Sequence, residues 1–253
     1  MNTGHIKKWA IIGVLIVFIG ELSAQETNVM IRVQSKDAKF IGTSIGGAQI
    51  VIKEESTGKI LAEGLTQGTT GDTKIIMNQP HTRGNRLSDD NTAGFLAKLD
   101  IQKPVFVSIE ALAPVNKRQA RVSSTTQQWI IPGKDILGDG IILVVPGFVV
   151  DILSPQTHQT LEGREVSIMA NIVLMCGCPV TPGGIWNSAN YEIKAIVSQG
   201  GMEVKTLDLL PQKVQSTFGA DITLNSGNYE ILVFAIDPVT GNTGLDKTNI
   251  IIP

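Results

Sequence analysis

Little in this 253-residue chain is of the kind that does chemistry unaided. Cysteine occurs twice and histidine three times. A dense Cys/His zinc framework and a multi-bridged disulfide scaffold are therefore both excluded. Aromatic residues make up 5%, which leaves no material for an extensive stacking surface for sugars or bases. Lys and Arg number 21 against 23 Asp and Glu. There is no basic excess to carry nucleic acid and no acidic tail. No glycine loop of the phosphate-cradling type precedes a helix pattern, and no dinucleotide fingerprint occurs. What is present is apolar residue at 42% and 26 glycines. That is enough to build a core, and it leans toward short strands and turns.

The first 24 residues read as processing information. Lys7 and Lys8 give a positive start, residues 10–20 (AIIGVLIVFIG) are apolar, and Leu22-Ser23-Ala24 places small residues before Gln25. This layout predicts a cleaved secretory signal peptide over 1–24. The apolar run is shorter than the roughly 20 residues of a spanning helix; an uncleaved anchor is the alternative. No other run reaches spanning length. The mature chain is therefore expected to be exported to the periplasm, the cell surface or the medium, with no membrane span after cleavage and in a disulfide-permissive compartment.

From Asn28 onward, short apolar runs alternate with Gly, Pro, Asn, Asp and Ser clusters. Extended segments are expected at 29–33, 48–52, 59–62, 74–77, 105–110 and 141–145, the spacing of an antiparallel sandwich or barrel. The stretch GAQIVI at 47–52, followed by Thr57-Gly58-Lys59-Ile60-Leu61, Thr66 and Thr70-Gly71-Asp72, resembles the transthyretin-like, carboxypeptidase-regulatory-like repeat over about residues 29–77. The resemblance implies a small β-sandwich used as an accessory domain. It ends at a long polar insertion, 78–93 (NQPHTRGNRLSDDNTA). Insertions of that length are usually mobile or functional loops. His81 and Arg83 within it are candidate contact residues.

Pro146-Gly147 marks a boundary, giving a first domain over 25–146 and a second over 147–253. In the second, Val166, Ile168, Ala170, Ile172 and Leu174 share one face at period two. Six more strand candidates accompany that one, at 148–153, 191–198, 204–210, 221–224, 229–236 and 248–252. The tail SGNYEILVFAID with a later GNTG, together with the opening Val150, Ile152, Ser154 and Pro155, looks like a bacterial Ig-like domain. That resemblance implies binding to a partner and not a reaction, with Tyr229 in the corner-tyrosine role.

Between two of these strands lies the most unusual run, MCGCPVTPGGIW at 175–186. Three readings of Cys176 and Cys178 stay open. They form a local disulfide, eased by Gly177. They hold a soft metal, Cu or Zn, with Met175 as thioether and His158 arriving through the fold. Or they link to another protein or to a second copy of the chain. Trp186 is expected to pack over this loop and is a contact candidate.

Catalytic patterns are weak. Gly42-Thr43-Ser44-Ile45-Gly46 matches the nucleophile-elbow text, but the residues after it read as a strand, where the mechanism needs a helix. After residue 24 the chain holds two tyrosines and two histidines (Tyr191, Tyr229, His81, His158), which match the count of non-haem iron sandwich enzymes but in the wrong order. The expectation is therefore an all-β protein of two tandem sandwiches, transthyretin-like then Ig-like. It is exported and non-catalytic, needs no cofactor, and binds a protein or another cell-envelope component through its loops. The alternative is a periplasmic soft-metal or thiol-redox protein using Cys176 and Cys178. The oligomeric state is not legible.

Overall fold

The computed structural model describes residues 25–253, and the signal-peptide reading of 1–24 lies outside them. Strands account for 56% and helix for 7%, which makes the protein all-β. Two sandwiches follow one another along the chain.

The first contains β1 (Gln25–Ser35), β2 (Gln49–Glu54), β3 (Ile60–Leu65), β4 (Phe95–Ile101), β5 (Val105–Ala113), β6 (Val122–Ile130) and β7 (Ile136–Val145). One sheet has the order β4-β1-β7 and the other β3-β2-β5-β6. All pairs are antiparallel except β1 with β7. Alternate residues face inward, as the pleat requires. Val29, Ile31 and Val33, then Ala97, Leu99 and Ile101, meet Ile50, Ile52, Val107 and Ile109 in one buried cluster.

The second contains β8 (Phe148–Ser154), β9 (Gln159–Thr160), β10 (Glu165–Leu174), β11 (Glu192–Gln199), β12 (Met202–Asp208), β13 (Leu210–Pro211), β14 (Thr217–Thr223), β15 (Gly227–Ile236) and β16 (Thr243–Ile252). Its sheets run β13-β14-β10-β8 and β12-β11-β15-β16-β9. The period-two face of β10, Val166 to Leu174, is buried against Ile231, Val233 and Ala235. Tyr229 is buried, and its hydroxyl donates to Asn225 O at 3.0 Å, the bond a corner tyrosine makes.

Sequence and structure differ at 74–77, expected to be extended. Lys74–Asn78 is a short π-helical turn. Asp72 accounts for it: its carboxylate accepts from Ile75 N at 3.0 Å and its carbonyl from Ile76 N at 3.0 Å. A short acidic side chain thus offers the backbone a local alternative to a ladder. β4 and β6 are further strands that the punctuation pattern did not single out. β6 (VSSTTQQWI) is an edge strand with only Ile130 buried, so it carries no apolar alternation.

The two sandwiches interlock. Ala38 belongs to the second core, while Val149 and Met175 belong to the first. Buried Asn242 joins both: its side chain accepts from Gly147 N at 2.9 Å and donates to Lys36 O at 3.1 Å. Gly147 sits at φ +123, and a Cβ there would stand 2.9 Å from Thr243 O, so the junction needs glycine twice over.

Candidate functional site

The Cys-Gly-Cys loop is built by the end of β10. Leu174 N donates to Cys178 O at 3.0 Å and Gly177 N to Leu174 O at 2.7 Å, with Gly177 at φ +77. The two sulfurs lie at disulfide distance, with Cα atoms 5.3 Å apart. Cys176, Cys178 and Val180 are buried in the second core. A Cβ added at Gly177 would lie 3.6 Å from Ile45 Cδ1 of the first sandwich. Trp186 is buried, and its indole N–H donates to Asp37 O at 2.9 Å, again across the seam. The side chains of Cys176, Cys178, Val180 and Trp186 thus form a packed wedge between sandwiches, while Pro182 to Ile185 form an exposed turn beside it.

The donors proposed around those sulfurs do not gather there. Met175 turns into the first core, away from the cysteines in the second. His158 follows the far end of β8. Phe148, at the near end, pairs with Leu174 beside the loop, and Ser154, at the far end, pairs with Met169. Six residue steps along a strand separate those ends, about 20 Å. His158 is held there at φ +60 by its N–H to Asn249 O at 2.7 Å. Among the described residues no group of three or more His, Cys, Asp or Glu assembles as a metal site. The cysteines and their neighbours do not fit a soft-metal centre. Gly42-Thr43-Ser44-Ile45-Gly46 does not fit a nucleophile elbow either, since a single 3-10 turn (Thr43–Ile45) leads into β2.

The polar insertion is arranged in the opposite way. It borders an open cleft of about 740 Å³, lined by Ile75, His81, Arg83, Arg86, Leu87 and Asp139 among others. Its far end is pinned from below by two side chains. The Asp139 carboxylate accepts from Leu87 N at 2.9 Å, Ser88 N at 2.8 Å and the Ser88 hydroxyl at 2.6 Å. Burial alone would raise the Asp139 carboxyl, but these hydrogen bonds and the charge of Arg86 outweigh it and hold the group below its ordinary value. Arg32, buried in β1, donates to Thr92 O, to Ala93 O at 2.9 Å and to Gly138 O at 3.3 Å. Burial lowers its pKa, opposed by the charge of Asp139. At the near end, His81 Nε2 lies 2.9 Å from Ile76 O. Arg83 lines the cleft and is exposed.

Arg32 and Asp139 are the functional-site residues that sequence reading passed over. The signal for Asp139 is Gly138-Asp139-Gly140 inside an apolar strand. Both glycines have positive φ, and a Cβ at Gly140 would collide with the Met30 carbonyl. Glycine inside a strand pattern marks a bulge or close backbone approach, and here the bulge aims a carboxylate at the loop.

A second acidic group lies at the seam. Asp37 is raised by burial and by Asp237; Tyr191 is pushed up to about 12 by burial and by Asp237 and Asp37. The Asp237 carboxylate is consumed locally, accepting from Val239 N at 2.8 Å and the Thr240 hydroxyl at 2.6 Å.

No family model matches the chain, and no curated protein does. Among the solved structures similar to it at low identity are fibronectin(III)-like and Ig modules. The fibronectin(III)-like modules of Clostridium thermocellum CbhA are 14% identical, over 91% of this chain and 86% of that one, with a TM-score of 0.28. The Dpr2 Ig1-Ig2 chain, from a complex with DIP-Theta, is 10% identical over 90% and 99%, at 0.28. An engineered protein is 19% identical over 46% of this chain, a match spanning 22% of that protein's length, at 0.33. At such scores the likeness reaches no further than stacked β-sheets, and the strand pairings given above carry the fold by themselves.

Proposed function

We propose that this is an exported, non-catalytic binding protein, a transthyretin-like sandwich followed by an Ig-like one, that engages a protein or another cell-envelope component through the 78–93 loop. One observation carries the reading: a surface loop held at both ends by buried or hydrogen-bonded groups, beside an open cleft. Holding a loop in place beforehand removes ordering cost from binding, and loops on rigid scaffolds are where binding residues concentrate. Arg83 is the contact residue, presented and unencumbered by the pins. Among the described residues no helix is long and apolar enough to cross a membrane. Tyr229 on Asn225 O supports the Ig-like member of the pair.

A photo-crosslinking residue at Arg83, compared with one at exposed Val239 on the second sandwich, tests this in the producing cell. The expected result is a discrete crosslinked species from position 83 and none from 239. Equal labelling from both positions, or none from 83, would overturn the assignment.

A further inference from the structure

We propose that the outer face of the β3-β2-β5-β6 sheet carries a saccharide-binding platform centred on Trp129. This stands independently of the 78–93 loop. Trp129 is 61% exposed on the edge strand β6, although its neighbour Ile130 is buried. Large aromatic side chains are ordinarily buried or used at an interface. The indole is backed by Phe106, its cross-strand partner, with ring centroids 5.2 Å apart and planes at 47°. The ring therefore stands on a rigid sheet and not on a loop.

The next row of the same face is polar. Gln127 pairs with Ser108, and Ser108 with Lys53. Glu55 is exposed beside this row, and the Ser108 hydroxyl and then the Gln127 amide draw its carboxyl below the ordinary range. Glu55 N in turn donates to Phe106 O at 3.0 Å. A carboxylate, an amide and a hydroxyl thus border one apolar ring. Pyranose sugars match that set. Their axial C–H bonds carry partial positive charge that the negative face of an indole attracts. Their equatorial hydroxyls both donate and accept, which amide, carboxylate and ammonium groups satisfy.

Other occupants match less well. Nucleic acid would set its phosphates against Glu55 and Glu110 as well as Lys53, whereas such binding rests on neutralising phosphates. Protein interfaces deplete Lys, Glu and Ser at their centre, the residues that surround this ring. Low aromatic content excludes an extensive stacking surface, and one ring with polar flanks is compatible with that.

Native gel electrophoresis of the mature protein through gels containing xylan, hydroxyethylcellulose, laminarin or glycol chitin tests the platform. Retardation by at least one polymer is expected. Trp129→Ala should weaken it by about tenfold or more, and Gln127→Ala by roughly threefold, with melting temperatures near that of the parent, since both side chains are exposed. Free migration in all four gels overturns the proposal, as does retardation that survives Trp129→Ala. Sedimentation showing a concentration-dependent dimer that Trp129→Ala abolishes would assign the face to a second copy of the chain and overturn it as well.

Discussion

The two irregular loops of this protein make opposite uses of unusual sequence. Residues 175–186 hold both cysteines and a tryptophan, yet Cys176, Cys178 and Trp186 are sunk between the sandwiches, and only the turn at 182–185 and small parts of the loop reach solvent. Residues 78–93 contain turn formers and charges of no special kind, yet they border a cleft and are tied down from beneath by Asp139 and Arg32. Rare residues therefore mark the place where packing is most demanding. Ordinary polar ones mark the place that stays open to solvent. Burial, which composition does not reveal, separates the two.

That contrast can be broken by substitutions. The largest effect is expected at Trp186→Ala, which empties a core position and removes the indole bond to Asp37 O; a loss of about 3–5 kcal/mol is the scale for such truncations, read by denaturant melts. Asn242→Ala should cost roughly 1–3 kcal/mol, because Gly147 N and Lys36 O lose a buried partner; the same melts check it. If either variant melts like the parent, the seam is not where the stability lies.

In the presented loop the expectation reverses. Asp139→Asn keeps one acceptor oxygen and should cost only about 1 kcal/mol of global stability, but speed hydrogen exchange at Leu87 and Ser88 and expose 79–87 to proteases. The pH dependence has a definite sign. A carboxyl held below its ordinary value contributes order above its unfolded pKa, and loses it as pH falls through the folded one. Loop protection should thus persist at neutral pH and disappear only below about pH 4, where free aspartate titrates. Protection that changes between pH 5 and 8 would contradict the Asp139 pin.

The smallest effect is at Asp37. Its carboxyl is raised by burial and by Asp237, so the folded state favours its protonated form. That contribution is present at low pH and is lost as pH rises through the raised value. Asp37→Asn should therefore raise the melting temperature slightly at pH 7 and have less effect near pH 4. Asparagine also tolerates the φ of +57 found there.

Strands with one buried face were legible in the sequence, because Val166 to Leu174 and Val29 to Val33 alternate cleanly. β6 was not, since an edge strand with a solvated outer face has Ser, Thr and Gln where a core strand has Val and Ile. The turn at Lys74–Asn78 was hidden because Ile75-Ile76-Met77 looks extended until the capping by Asp72 is seen. At the candidate sites, the polarity of 78–93 and the presence of His81 and Arg83 could be read directly. The pins could not: Arg32 and Asp139 are separated by about a hundred residues of sequence from each other, and a parallel pairing of β1 with β7 brings them together. The same distance effect misleads in the other direction at the cysteines, where Met175 and His158 are chemically suitable but spatially dispersed.

Hydrogen exchange of the protein, alone and with the species captured from position 83, tests the central claim most directly. The account predicts new protection at 79–87 on binding, with the hydrogen-bonded amides of Leu174 and Gly177 slow to exchange in both states. Protection that arises in 175–186 while 79–87 stays unchanged would contradict it.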